Sequence, residues 1–258
     1  MSEKNREGKR TARERLAVER EKQKAAERRR RTLIVGASVV CVLGLAAVIG
    51  VVAANSGKDE DSAKSGPVVA PSGAQGKDAL AIPVGKDDAK ATLTVWEDFR
   101  CPACKAFETA YRPTIHELTD AGKLRVEYHL ATLIDGNMGG SGSRNAANAA
   151  ACAQDAGKFT AYHDVLYENQ PDETDDAFSK NSKLIELAGK VDGLDTPAFR
   201  ACVEKGTHTS WVVKSHQAFQ SGGFGGTPTV LFNGKNIYQD QTMTPAKFKQ
   251  MVEEANRG

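Results

Sequence analysis

The sequence Cys101-Pro102-Ala103-Cys104 sets two thiols one helical turn apart, close enough to form and break a disulfide with each other or with a third sulfur. It follows a β-branched apolar run and opens a stretch of helical periodicity. At a helix start, unpaired backbone N–H groups and the positive end of the dipole favour an anion, so Cys101 is expected to be the acidic, nucleophilic thiol. A thiolate attacks disulfides, and a stabilised one also leaves well. In the oxidising direction a substrate thiolate would attack Cys101, displace Cys104 and form a mixed disulfide that a second substrate thiolate resolves. Taken alone, a CxxC fits half of a zinc site or a static bridge as readily as redox work. Zinc would need two more ligands at local spacing, and neither Cys152 nor Cys202 has another Cys or a His within four residues. His129 and His163 stand alone and read as surface or packing residues, so no metal is expected.

The elements that must position the two thiols follow from periodicity. Ala91 to Phe99 and Leu124 to Leu133 are β-branched and apolar, the second beginning after the Gly122 break. Between them, in Pro102 to Asp120, Phe107, Ala110, Tyr111, Ile115 and Leu118 recur at three- and four-residue steps and predict one buried helical stripe. Pro102 suits a first turn, whereas Pro113 predicts a kink. Such a strand-helix-strand unit implies a parallel pair with a right-handed crossover, half of a thioredoxin-like sheet. Residues 141 to 220 carry helical runs at Ala146 to Ala156, Phe159 to Glu168, Ser182 to Val191, Pro197 to Lys205 and His208 to Phe219, an all-helical insertion spanning about 139–222. Thr229 to Phe232, the Asn233-Gly234 turn and Asn236 to Gln239 read as a β-hairpin, and Thr244-Pro245 opens a closing amphipathic helix. The fold class is therefore α/β.

Further upstream, composition divides the chain into a basic segment (1–31), an apolar anchor (32–54), a linker (55–78) and a folded domain (79–258). Residues 33–54 form an uncharged run of 22 residues, long enough as a helix to cross a hydrocarbon core of roughly 30 Å. The preceding segment holds 13 Lys or Arg against 6 Asp or Glu, while Lys58, Asp59, Glu60 and Asp61 follow the run. The positive-inside rule then predicts a single-pass membrane protein with a cytoplasmic N-terminus and an extracytoplasmic domain. Cleavage after Val52-Ala53-Ala54 is the competing reading, although signal-peptide cores usually have about 7 to 15 residues. The basic segment interleaves Glu14, Glu19, Glu21 and Glu27 and contains no aromatic residue, which argues against nucleic acid as a partner. Residues 55–78, rich in Ser, Gly and charge, predict a flexible tether. Cys41 lies in the apolar run, leaving four cysteines outside it and three possible pairings.

Cys-Pro-Ala-Cys at a helix start, a helical insertion and then Gly226-Thr-Pro-Thr-Val-Leu-Phe-Asn-Gly-Lys235 together resemble the DsbA-like branch of the thioredoxin superfamily over roughly residues 79 to 258. The resemblance implies that Pro228 is cis and packs against the Cys101–Cys104 pair, and that the Thr227 backbone pairs with an unfolded substrate chain. It also implies reoxidation by a quinone-linked membrane partner of the DsbB or VKOR type. Two departures stand out. Ala103 occupies the place where family members resemble CPHC, whose histidine helps hold the thiolate. Val95, six residues before Cys101, occupies a position where the family often has a buried acid, while Glu97 and Asp98 are expected to point differently. Some relatives of this kind carry an extra bridge in the helical region, and Cys152 and Cys202 are expected to form a structural disulfide there; two buried free thiols are the alternative.

Phe99, Arg100, Phe224 and the glycines at 222, 223, 225 and 226 flank the predicted site and suggest an apolar rim for docking substrates, unless they are ordinary loop and core residues. The function expected is dithiol-disulfide exchange on exported proteins, in the oxidising direction, with no cofactor. A reductase or isomerase, and a non-catalytic binding module or redox sensor, are the alternatives.

Overall fold

A computed structural model describes residues 67–257. The basic segment 1–31, the expected anchor 32–54 with Cys41, and the linker as far as residue 66 lie outside them. Among the described residues no helix is long and apolar enough to cross a membrane.

Five strands form one sheet: β1 (Ile82–Val84), β2 (Ala91–Glu97), β3 (Leu124–Leu130), β4 (Thr229–Phe232) and β5 (Lys235–Asn236), in the order β1-β3-β2-β4-β5. Only β2 and β3 run parallel, with Ala91 opposite Leu124 and Glu97 opposite Leu130; the other pairs are antiparallel. The crossover between them is α1 (Pro102–Asp120), which continues through Pro113. Gly85 lets the chain pass from β1 to β2, since a Cβ there would lie 2.5 Å from the Leu124 carbonyl oxygen. Asn233 and Gly234 close the β4–β5 hairpin with φ of 47° and 80°, the double left-handed turn that suits the sheet's twist. Asn233 also exchanges backbone and side-chain hydrogen bonds with Thr92, tying the hairpin to β2.

Strand ends differ from the expected ones for local reasons. β2 stops at Glu97 because Asp98 turns inward and its carboxylate accepts the N–H groups of Arg100 and Ile134. β3 stops at Leu130, and Leu133 instead begins the short helix α2 (Leu133–Met138). Likewise β5 is confined to Lys235–Asn236, because the Asn236 side chain accepts the Tyr238 N–H and turns the chain away.

The helical insertion therefore runs from α2 through α3 (Gly142–Asp155), α4 (Phe159–Glu168), α5 (Asn181–Ala188) and α6 (Pro197–Lys205) to α7 (Thr209–Ser221). Ala146 to Ala153 of α3 are buried, and their small side chains let this helix lie close to α4, α6 and α7. Side chains alternate across the sheet, so Val95 and Tyr128 face the main core while Trp96 and His129 face α7. On α1 the buried face carries Cys104, Phe107, Glu108, Ile115 and Leu118, whereas Ala110, expected in that stripe, is exposed. The closing helix α8 (Pro245–Ala255) packs Phe248 and Val252 inward and starts at Thr244, whose hydroxyl accepts the Lys247 N–H.

The tether expected to reach residue 78 ends earlier. Ser72 donates its N–H to Asp155 at 2.7 Å and accepts from Gln154 at 2.9 Å, and Trp211 donates to the Ala79 carbonyl at 2.7 Å. Hydrogen bonds to the helical layer, together with the buried Pro71 and the packing of Ala70 against the core, hold this segment, whose polar composition resembles a linker.

Cys152 and Cys202 are joined by a disulfide, S–S 2.08 Å, linking α3 to α6 across 50 positions of sequence. Closing a loop of that length restricts the unfolded chain. Replacing both cysteines by serine should lower unfolding free energy by about 2–4 kcal/mol. Urea unfolding followed by tryptophan fluorescence measures the loss; an unchanged midpoint would show that the bridge adds nothing.

Candidate active site

The two free thiols, Cys101 and Cys104, sit at the end of β2 and the start of α1. Cys101 has extended backbone geometry and occupies the N-cap of α1, with Pro102 in the first turn, where no N–H is needed. Both are buried, Cys101 slightly less than Cys104.

The loop that presents Cys101 is clamped from beneath. Arg100 is buried and donates to Asp135 at 2.7 Å, to the Gly139 carbonyl at 3.0 Å and to the Glu173 carbonyl at 3.1 Å, with Asp176 3.0 Å away. Gln170 donates from its side-chain amide to the carbonyls of Phe99 and Cys101, at 2.8 and 3.0 Å. Burial raises the Asp98 carboxyl to about 7, against the opposing pull of the Ile134 and Arg100 N–H groups. The helical insertion thus fixes the four residues Asp98 to Cys101 as a rigid step between strand and helix.

Across from the thiols, the Thr227–Pro228 peptide is cis. The Thr227 carbonyl lies 3.2 Å from Cys101 Sγ and accepts from the neutral thiol. The Thr227 hydroxyl is buried and has no hydrogen-bond partner among the described residues. Chiefly through a hydrogen bond from the Cys104 thiol, and against the effect of burial, Cys101 is lowered to about 6; Thr227 and the backbone N–H groups of Cys104 and Ala103 add to this. Ala103 therefore acts through its backbone alone. Cys104 moves the opposite way: burial pushes its thiol well above the ordinary value, and the negative charges of Cys101 and Glu97 add to the shift.

Beneath Cys104 lies a group of buried ionisable side chains. Glu97 accepts from, or shares a proton with, His163 Nε2 at 2.9 Å, and Glu108 on α1 completes the set. Burial raises Glu108 to about 8. Burial opposes charge on His163, but the Glu97 carboxylate outweighs it and raises the imidazole to about 10. Glu97 Oε2 and Glu108 Oε1 have no hydrogen-bond partner among the described residues. Val95, as read from sequence, provides no acid and is packed in the core; contrary to the expected orientation, Glu97 and Asp98 both point inward. His163 is likewise neither isolated nor at the surface. Glu108 was detectable as the residue one turn beyond Cys104 on the same helix face, and His163 as a member of the buried stripe Phe159, Tyr162, His163, Leu166 and Tyr167.

The expected rim needs correction. Phe99 is 1% exposed and packs between His163 and Tyr167 in the main core, so it touches no surface. Arg100 is buried too. Phe224 is half-buried against Trp96 and Phe219, in a smaller cluster on the α7 side of the sheet. An apolar groove beside the thiols is lined instead by Phe107, Tyr111, Ile237, Tyr238 and Met243, and Tyr238 is exposed. Its proximity to the pair is felt electrostatically: after burial, the charges of Cys104 and Cys101 raise the Tyr238 hydroxyl.

The thiolate absorbance of the reduced protein at 240 nm should rise through a midpoint near pH 6 and stay high above it. Cys104→Ala removes the largest stabilising hydrogen bond and should move the midpoint upward. A midpoint at the value of a free cysteine, roughly 8.5, in the unsubstituted protein would contradict the assigned asymmetry.

The family model described as Thioredoxin matches residues 78–254. Disulfide bond formation protein D of Bacillus subtilis is 30% identical over 157 residues, covering 60% of this chain and 68% of that protein. Among solved structures, reduced DsbA of Mycobacterium tuberculosis superposes with a TM-score of 0.60 at 27% identity, covering 69% of this chain and 93% of the other. Oxidised BdbD of Bacillus subtilis gives 0.59 at 26% identity, covering 75% of this chain and all of the other, 100%. Motif, fold and sequence agree, and the chain belongs to the thioredoxin family, among its DsbA- and BdbD-like thiol-disulfide oxidoreductases.

Proposed function

We propose that this protein introduces disulfides into exported, unfolded polypeptides, acting through Cys101 and Cys104 from an extracytoplasmic domain held at the cell membrane by the apolar segment 32–54. The observation that carries the reading is the opposite displacement of two adjacent thiols, Cys101 down to about 6 and Cys104 well up. A thiolate stabilised in the reduced protein makes the corresponding disulfide easier to reduce, and hence a better oxidant.

The steps follow from the sulfur chemistry. A substrate thiolate attacks Cys101 Sγ in the oxidised protein; the Cys101–Cys104 bond breaks and a Cys101–substrate bond forms. Cys104 leaves as a thiolate and takes up a proton, since burial disfavours its charge. A second substrate thiolate then attacks the substrate sulfur of the mixed disulfide and expels Cys101, a good leaving group at neutral pH. The oxidised substrate departs and the protein retains two electrons, which a quinone-linked membrane enzyme of the DsbB or VKOR type would remove.

The Thr227 carbonyl lies 3.2 Å from Cys101 Sγ, just before cis Pro228, and the Thr227 backbone would pair with the extended substrate chain. The groove at Phe107, Tyr111 and Tyr238 offers apolar contact to an unfolded segment. Phe99 is buried and has no part in docking, and Phe224 packs on Trp96 and Phe219. The topology rests on the charge asymmetry across the apolar run.

Cys104→Ser leaves Cys101 able to attack a disulfide already formed in an exported protein, breaking that bond and forming a mixed disulfide with no Cys104 thiol present to displace the bound protein. Expressed in cells, this variant should accumulate exported proteins bound through Cys101, released by a thiol reductant and absent when Cys101→Ser is added. No trapped exported proteins, with an active-site thiol that still reacts with model disulfides, would overturn the substrate assignment.

A further inference from the structure

Carbonyl oxygens crowd a strand-to-helix junction, and the partial negative charge on each opposes an anion beside it. At this junction the carbonyls of Asp98, Phe99 and Cys101 are all taken up by donors. The Tyr167 hydroxyl donates to the Asp98 carbonyl at 3.3 Å, and the Cys101 N–H reaches the same oxygen at 3.0 Å. Gln170 Nε2 donates to the Phe99 carbonyl at 2.8 Å and to the Cys101 carbonyl at 3.0 Å, committing both of its N–H groups to the residues around the nucleophile. Carbonyls only accept, so the two of them fix which end of the amide faces the junction.

The fold supplies this amide from 69 positions along the chain. Gln170 follows the end of α4, where its N–H returns to the Tyr167 carbonyl at 3.3 Å. The residue is 9% exposed, and Lys105 Nζ ties its carbonyl to α1 at 3.4 Å. The grip is geometric. A peptide unit is planar, so its orientation is fixed when both edges are held. Gln170 holds the Phe99 oxygen at one edge, and the Arg100 N–H at the other donates to Asp98 at 2.8 Å. The Cys101 carbonyl belongs to the peptide that opens α1, and it accepts the Lys105 N–H at 3.2 Å as well as Gln170. With these oxygens held toward α4, the backbone N–H groups of Cys104 and Ala103 face the sulfur.

We propose that Gln170 is a positioning residue for disulfide exchange: by holding the Phe99 and Cys101 carbonyls away from the sulfur, its amide makes Cys101 a better nucleophile and a better leaving group. The titratable groups around Cys101 are Cys104 of α1, Asp98 three residues upstream and Tyr238 beyond β5. Arg100 and Lys105 carry their charges toward the insertion. Gln170 has no charge at any pH, so it shifts the titration of Cys101 without adding one of its own. This role rests on the function proposed above only in requiring Cys101 to be the attacking and leaving sulfur, and it holds whichever way disulfides flow.

The test follows alkylation of Cys101 by iodoacetamide in the reduced full chain across pH, read by peptide mass spectrometry so that other thiols do not contribute. Gln170→Met keeps the side chain's length and removes its donors. Folded by circular dichroism, it should raise the Cys101 midpoint by about one unit. The reduction potential of the pair should fall with it by about 30 mV at pH 8, the equivalent of that tenfold change. Gln170→Glu should add a second inflection, since its carboxyl donates to one carbonyl when protonated and opposes the thiolate when ionised. Lost packing alone would lower stability and leave midpoint and potential in place. A measurement on the unsubstituted chain needs no variant to fold: the Gln170 side-chain amide signal in nitrogen-edited NMR should move with the Cys101 midpoint and stop moving in Cys101→Ser. An unchanged midpoint and potential in folded Gln170→Met would overturn the proposal, as would an amide signal that ignores the Cys101 titration. A midpoint of roughly 8.5 in the unsubstituted chain would instead remove the nucleophile assignment beneath it.

Discussion

A sulfur anion can persist inside a folded protein only if dipoles already aimed at it replace the water it has lost. Here that constraint falls on Cys101, and it dictates the geometry around it. The thiolate draws at once on the N-terminus of α1, the thiol of Cys104 and the Thr227 side chain. Those groups come from one strand-to-helix junction and from a loop 126 residues further along the chain. The sheet brings them together because β2, which leads into Cys101, pairs directly with β4, which follows Pro228. The asymmetry between the thiols has the same origin. Cys104 lies one turn further into the helix and deeper in the core, where burial outweighs every stabilising contact.

The helical insertion is what keeps the junction from relaxing. Arg100 carries its charge into the interior and meets Asp135 and Asp176, which also receive backbone N–H groups from the start of α3. A buried ion pair of this kind adds little stability over a well-packed apolar equivalent, yet removing one partner leaves a costly unpaired charge. Its consequence here is positional: the residue before the nucleophile cannot move without breaking contacts to two segments of the insertion. A second polar layer, Glu97, Glu108 and His163, lies under Cys104 and links β2, α1 and α4. Its charges depend on one another, so protonation of any member alters the electrostatics felt by the sulfur above.

Much of this was legible in the chain. The Cys-Pro-Ala-Cys run between a β-branched segment and a helical stripe identified the junction, and the family resemblance carried by Thr227-Pro228 implied what faces it. Helices α4 and α6 fall where their periodicity puts them, because their apolar faces are continuous. The misreadings share a physical cause. Phe99 and Arg100 flank the site in sequence and were read as a docking rim or else as loop and core residues; the second reading holds, because the insertion covers them. Asp98 and Glu97 were expected to point differently from Val95, since sequence does not reveal that backbone N–H groups and the His163 imidazole await them in the interior. Ala110 took the place in the stripe that belongs to Glu108, because a hydrophobic pattern passes over an acid on a buried face. The segment from residue 67 to 78 resembles a tether because its composition is polar, and hydrogen bonds to α3 supply much of what orders it.

The most direct test is the reduction potential of the Cys101–Cys104 pair in the full chain, equilibrated against glutathione, with Cys152→Ser/Cys202→Ser as the control for the second bridge. The account predicts an oxidising value, toward the about −120 mV of DsbA, because the folded reduced form is stabilised by its thiolate. A value near the about −270 mV of thioredoxin would contradict it and make the protein a reductase.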